Sequence, residues 1–409
     1  MKKLGYRSVR RVACMAAALI LGLGLHAQTW AAETATRPVI FVGNNWEGMI
    51  DVIDAETYAR LGRINGIPDK ADRMREIHRN LLRTIFFYAN RYLPGEGNDQ
   101  YVDDMYSSND GRLLIVSRPS FGDVVALDMV SGEVVWRFRV KGYRSDHMAI
   151  SPDGMEVAVS ASTGNVAHIL NVETGVERGR FSSGNSPHEN VYSKDGKRIF
   201  HASIGHVFTP WDGDRQSSLK GKRIFKIVDT ETLQDIKSMD LKPKLVEAGY
   251  GKLSPAIRPM AHTDDERYFY FQLSFLHGFI EYDMVEDRVT RLAELPNVIP
   301  DVPITKYVND SAHHGIALSG DETTFCVAGT MDDYVALVSR ETFDYTILSG
   351  LGEKPYWVTT DRSGEHCYIS WSETDQMSVI SYATGTEVAR IDVGNHPQRI
   401  REGVVPAEW

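Results

Sequence analysis

The chain has 409 residues, of which 55 are acidic, 45 basic and 42% hydrophobic. A formal charge of −10 excludes the basic surface that nucleic acid requires, so no nucleic acid is expected as a partner. The three cysteines include no Cys-x-x-Cys or Cys-x-x-Cys-His spacing, which argues against a thiolate zinc site and covalent haem.

Residues 1–31 are expected to be a cleaved signal peptide. Lys2, Lys3, Arg7, Arg10 and Arg11 form a basic head, and Met15 to Leu25 is an apolar stretch too short to span a bilayer. Thr29-Trp30-Ala31 offers a cleavage point after Ala31. An uncleaved anchor is the alternative. The Arg10-Arg11 pair hints at twin-arginine export, but its surroundings fit a Sec-type signal better. Cleavage removes five basic and no acidic residues, which takes the charge to −15. Residues 32–409 contain no other long apolar run. They are expected to form one periplasmic or secreted domain that is not embedded in a membrane.

That domain opens at Val39-Ile40-Phe41-Val42, which matches the second strand of a recurring unit. The unit is marked by the turns Ser151-Pro152-Asp153-Gly154 and Ser193-Lys194-Asp195-Gly196, with looser copies at Asn109-Asp110-Gly111 and Ser319-Gly320-Asp321-Glu322. Seven apolar third strands can be counted, from Ile50-Asp51-Val52-Ile53 through Val124-Val125-Ala126-Leu127 to Val379-Ile380-Ser381-Tyr382. Four strands repeating every 40–50 residues or so predict an all-β, seven-bladed β-propeller. The missing first strand of the first blade is expected from His396-Pro397-Gln398-Arg399-Ile400-Arg401, so that the C-terminus closes the ring.

Insertions fall at 68–100, 206–222, 242–257 and 297–311. All are expected on the face of the ring from which inter-blade and second-to-third-strand loops emerge, where binding loops concentrate. In 68–100, Met74, Ile77, Leu81, Leu82, Ile85, Ala89 and Tyr92 recur at helical spacing. They predict one amphipathic helix that starts at Asp69 or Asp72, ends at Pro94-Gly95 and lies over the channel mouth. Basic residues from Arg215 to Arg258 are read as solvated faces, with an anionic docking patch as the alternative. Cys326 and Cys367 sit early in the second strands of neighbouring units. Such points are expected to lie too far apart to bridge easily, so two buried thiols are expected, with a disulfide as the alternative.

The start of each first strand lies at the decorated mouth. Those positions read Asp103-Asp104, Asp146-His147, His188-Glu189, Arg258, His313-His314, Tyr356-Trp357 and His396, and loops on the same face add His206 and His277. Imidazoles from several blades converging on one axis suit a transition metal such as copper or zinc. The candidate ligands are His147, His188, His206, His277, His313 and His314. Adjacent strand residues point opposite ways, so only one of His313 and His314 can face the axis. Asp103, Asp146, Arg258, Tyr356, Trp357, His396 and Arg399 are candidate ligand contacts, with Arg258 or Arg399 able to hold a carboxylate. Asp104, Glu189 and Arg258 are the candidate catalytic groups. For any single histidine, hydrogen bonding within the fold is the simpler account.

The segments Asp146-His147-Met148-Ala149-Ile150-Ser151-Pro152-Asp153-Gly154 and Val379-Ile380-Ser381-Tyr382-Ala383-Thr384-Gly385 resemble the YVTN-type, quinoprotein amine dehydrogenase-like seven-bladed propellers. The resemblance covers nearly all of the mature chain and implies the fold, while the group hosts many activities. No ligand set of histidine-lined propellers matches residue by residue. The Trp-rich docking motifs and vicinal cysteines of pyrroloquinoline quinone enzymes are absent, so that cofactor is not expected. Three functions follow as expectations: a binder of a small ligand or transition metal, a metal-dependent oxidoreductase or lyase, or a scaffold that docks a periplasmic protein.

Overall fold

The computed structural model describes residues 35–208 and 217–409. The expected leader and Arg215 lie outside the described residues. The described residues build seven four-stranded antiparallel sheets, the blades of a seven-bladed β-propeller. No described helix is long and apolar enough to cross a membrane.

Blade one draws on both ends of the chain. Its innermost strand is Pro397–Pro406, followed outward by Thr36–Asn44, Met49–Asp54 and Arg60–Asn65. The pairs Val42 with Ile400 and Ile40 with Glu402 join the two ends and close the ring. Ile40 and Val42 pack on Tyr368, Met377 and Val379 of blade seven. Val39 and Phe41 point the other way, onto Met105, Leu114 and Val116 of blade two. A strand buried on both faces needs the unbroken apolar run found there, and each such side chain contributes about 1.5–3 kcal/mol by leaving water.

The other innermost strands are Asp104–Ser107, Met148–Ile150, Pro187–Tyr192, Ile257–His262, Ile316–Leu318 and Pro355–Thr360. Several are bulged at the same level. His188 and Glu189 fall between the paired residues Pro187 and Asn190, Arg258 between Ile257 and Met260, Tyr356 between Pro355 and Trp357, and Gln398 and Arg399 between Pro397 and Ile400. A bulge breaks strict alternation and re-aims side chains, so consecutive residues can both reach the channel.

Two expectations change. The first insertion is not one helix. It forms α1, Lys70–His78, and α2, Leu81–Tyr92, with Asn80 between them in extended conformation. The Asn80 side chain accepts from Arg83 N at 3.1 Å and caps α2. The break resets the helical phase. Ile77, Arg83, Phe87 and Asn90 turn inward, whereas Leu81, Leu82, Ile85 and Tyr92 are exposed. α1 is pinned by Asp69 and Glu76, which pair with Arg118 at 2.6 Å and Arg137 at 2.9 Å.

Cys326 and Cys367 are not free thiols but form a disulfide between blades six and seven. Their Cα atoms are 6.5 Å apart, inside the bridging range. The small neighbours Ala317 and Ala328 in the same layer let the two strands approach this closely.

Candidate metal centre at the channel floor

The bulges and the lid together shape a cavity of about 470 Å³ at the decorated mouth. Phe86, Leu93 and Pro94 of the first insertion, Ile204, His206 and Phe208 from blade four, and Asn309 from the 297–311 insertion form its outer wall. Its floor carries Asp103, Asp146, His147, His188, Arg258, His314, Tyr356 and Gln398. These come from the start of the innermost strands, so the ring delivers one or two side chains per blade to one axis.

Three imidazoles meet at that floor. His147, His188 and His314 are buried and present ligand nitrogens that all lie within 4.8 Å of one another. His188 Nε2 and His314 Nε2 face each other at 3.4 Å, long for a hydrogen bond between nitrogens. The Nδ1 atoms of both rings lack a hydrogen-bond partner. His147 Nδ1 lies 2.7 Å from Glu189 Oε2, and its Nε2 meets the Arg399 guanidinium. Burial holds all three rings well below the ordinary histidine pKa, with further depression from Arg399 at each. They are therefore neutral at pH 7, the form that binds metal.

Carboxyls surround the imidazoles. Asp103 and Asp146 place oxygens within 4.8 Å of a His147 nitrogen. Burial pushes Asp146 up to about 7, and the neighbouring Asp103 adds to the rise. Burial also raises Asp103 and lifts Glu189 to about 8 against the pull of Arg399 and Arg401. Glu189 faces a second cavity, of about 490 Å³, lined farther along the same strands by Tyr106, Trp357 and Arg401.

The structure separates the other candidates. His313 turns away from His314, as alternation requires, and bonds Asp332 Oδ2 at 3.0 Å. His277 reaches the same oxygen through Nδ1 at 2.6 Å and meets Tyr307 through Nε2 at 2.8 Å. His277, His313 and Asp332 thus make a separate cluster. Both His277 nitrogens are already engaged, so hydrogen bonding within the fold accounts for it. His206 is exposed at the cavity rim. His396 stacks on Trp46, with ring centroids 3.6 Å apart, outside the cavity wall.

Asp104 lies outside the cavity lining. It receives Arg401 through two bonds of 2.9 Å and also accepts from Met148 N. Arg258 lines the cavity while its Nε donates to Ser274 and its Nη2 to the Asn309 carbonyl. Trp357 faces the second cavity and stacks on Arg399, ring centroid to guanidinium 3.7 Å. Sequence reading missed Asp332 and Tyr307, which sit in loops with no motif. It also missed Gln398 and Arg144, although both lie within two residues of a named candidate.

No protein-family model matches this chain, and no curated protein matches it. Among solved structures it is similar to a chain of Kuenenia stuttgartiensis hydrazine synthase, with a TM-score of 0.53 and 14% identity over 74% of this chain and 88% of that one. At that identity the likeness concerns the fold alone.

Proposed function

We propose that this protein is an exported β-propeller that binds a transition metal, zinc or copper, through His147, His188 and His314 at the floor of a ligand cavity. The observation that carries this reading is the 3.4 Å separation of His188 Nε2 and His314 Nε2. Two nitrogens on a tetrahedral ion with bonds of about 2.0–2.1 Å lie roughly 3.3–3.4 Å apart. Glu189 at His147 Nδ1 adds the carboxylate–histidine pairing common behind metal ligands. The third ligand requires Arg399 to swing off His147 Nε2. Export is supported by the Cys326–Cys367 disulfide, which suits an oxidising compartment.

Elemental analysis of untagged, metal-replete protein tests the reading. About one equivalent of ion is expected for a single site, with most of it lost in His188→Ala and His314→Ala. A wild type that takes up no metal, or variants that retain it fully, would overturn it.

A second reading, metal-dependent oxidoreductase or lyase chemistry, is favoured by the Asp103 and Asp146 oxygens beside the same histidine in a substrate-sized cavity. It predicts turnover that chelation abolishes. A screen of oxidase, lactonase and lyase substrates on metal-loaded protein that finds no turnover would exclude it.

A further inference from the structure

α2 presents its apolar face to solvent. At the roughly 100° per residue of an α-helix, Leu81, Leu82, Ile85, Tyr88, Ala89 and Tyr92 fall within one arc of about 120°, and all six are exposed. Leu81, Leu82, Ile85 and Tyr92 are each more than half exposed. The opposite side, with Arg83, Phe87 and Asn90, is the buried one, and Phe87 packs there on Ile77, Tyr101 and Phe121. Other exposed apolar residues, such as Val130, Val176 and Val285, fall on separate blades. Single exposed residues are ordinary, whereas a gathered stripe marks an interaction surface. The charges beside this stripe are mostly basic. Residues 70–92 hold six basic and two acidic side chains, a net +4 on a chain of −10. Arg73 and Arg83 are taken up by Glu76, and Arg91 by Asp99. That leaves Lys70, Arg75 and Arg79 exposed against Asp72, the one exposed acid of the two helices, which pairs with Arg75. The last turn of α1 lies against the stripe, since Tyr88 Oη is 3.4 Å from His78 Nε2. Just past α2, Glu96 is matched by Lys354 at 2.6 Å.

We propose that this face of the lid docks the protein on an anionic phospholipid bilayer, with the α2 stripe in the headgroup–acyl boundary and Arg75 and Arg79 on lipid phosphates. The proposal stands apart from the metal centre. A ridge of protruding side chains needs no matching groove in a fluid interface. Leu, Ile and Tyr beside a basic edge is the composition of helices that lie there. A second copy of the chain would instead bring two basic ridges together, and like charges oppose that. Ala89 of the stripe also lines the cavity, with Phe86 and Leu93, so docking sets the cavity rim against the lipid.

Flotation of the full chain with vesicles of phosphatidylglycerol mixed with phosphatidylcholine, and of phosphatidylcholine alone, tests this. Binding to the anionic vesicles is expected to exceed binding to the neutral ones about 10-fold or more and to weaken with added salt. Leu81→Gln/Ile85→Gln should weaken binding to the anionic vesicles about 10-fold or more. Arg75→Gln/Arg79→Gln should erase most of the preference for them. All four side chains are exposed, so melting temperatures should match wild type. Equal binding to both kinds of vesicle overturns the proposal. So does anionic binding that neither pair of substitutions changes, which would assign the affinity to residues outside the lid. A chain that ignores vesicles overturns it too, and a dimer that Leu81→Gln/Ile85→Gln dissociates would then give the stripe to a second copy.

Discussion

His147 Nδ1 and Glu189 Oε2 lie 2.7 Å apart, two buried groups from blades three and four in direct contact. The bond fixes the ring, so the opposite nitrogen points into the cluster with His188 and His314. Glu189→Gln keeps the shape but weakens the acceptor. Metal affinity, read by competition with a chromophoric chelator, is expected to fall about 10- to 100-fold, with little change in melting temperature. An unchanged affinity would show that Glu189 does not orient a ligand.

The second histidine cluster should behave in the opposite way. Asp332 joins His277 to His313 and also accepts from Val298 N at 3.0 Å, tying the 297–311 insertion to blade six. Burial alone would raise its pKa, but the two imidazoles outweigh burial and hold it low. Asp332→Ala orphans several buried donors and is expected to cost roughly 2–5 kcal/mol in denaturant unfolding. Metal content should stay unchanged. Loss of metal without loss of stability would make this cluster the metal site instead.

The blade count, the split first blade and the crowding of histidines at one mouth were legible because each follows from a period. A strand buried on both faces reads as an apolar run, and the repeat places equivalent residues at equivalent heights. The bulges follow no period. Nothing in Pro187-His188-Glu189-Asn190 announces that two residues share one partner, yet that register break lets both His188 and Glu189 reach the channel. Without it, simple alternation assigns neighbours to opposite faces, which is right for His313 and His314 and wrong for His188 and Glu189. The lid misled for a related reason. Asn80 is a good helix cap, but a continuous apolar stripe hides a two-residue interruption that rotates everything after it.

That lid should respond to acid before the blades do. Glu76 of α1 gathers Arg73, Arg83, Arg137 and Arg139 at 2.6–3.1 Å. Burial pushes its carboxyl up, and the guanidinium of Arg137, with the other arginines, outweighs this to hold it below the usual range. Asp123, between Arg118 and Arg137, is lowered by the same balance. A depressed folded-state pKa gives stability that is present above the ordinary carboxylate value and lost as pH falls through the folded value. Hydrogen exchange should show residues 70–92 losing protection below about pH 4, while the inner strands stay protected. Glu76→Gln should bring on part of that loss at neutral pH. Protection that holds to the pH of global unfolding would remove this anchor from the account.

The disulfide makes a prediction independent of the site. Cys326 and Cys367 are 41 residues apart in sequence and link the second strands of blades six and seven. Closing a loop of that length removes unfolded-state entropy worth roughly 4 kcal/mol in the chain-entropy model, with measured bridges nearer 2–4. Both positions are fully buried, so the double replacement Cys326→Ala/Cys367→Ala also loses some packing. Its unfolding free energy should drop by at least about 2 kcal/mol. Blade seven packs against the seam at blade one, and the cross-link ties it to blade six, so it holds together the part of the ring that forms last along the chain. Refolding yield should therefore fall more than that of an equally destabilised variant elsewhere, for instance Asp332→Ala. Metal uptake by the folded fraction should match wild type, because neither cysteine lines the cavity. A double variant as stable as wild type would mean that the bridge only decorates a contact the blades already make.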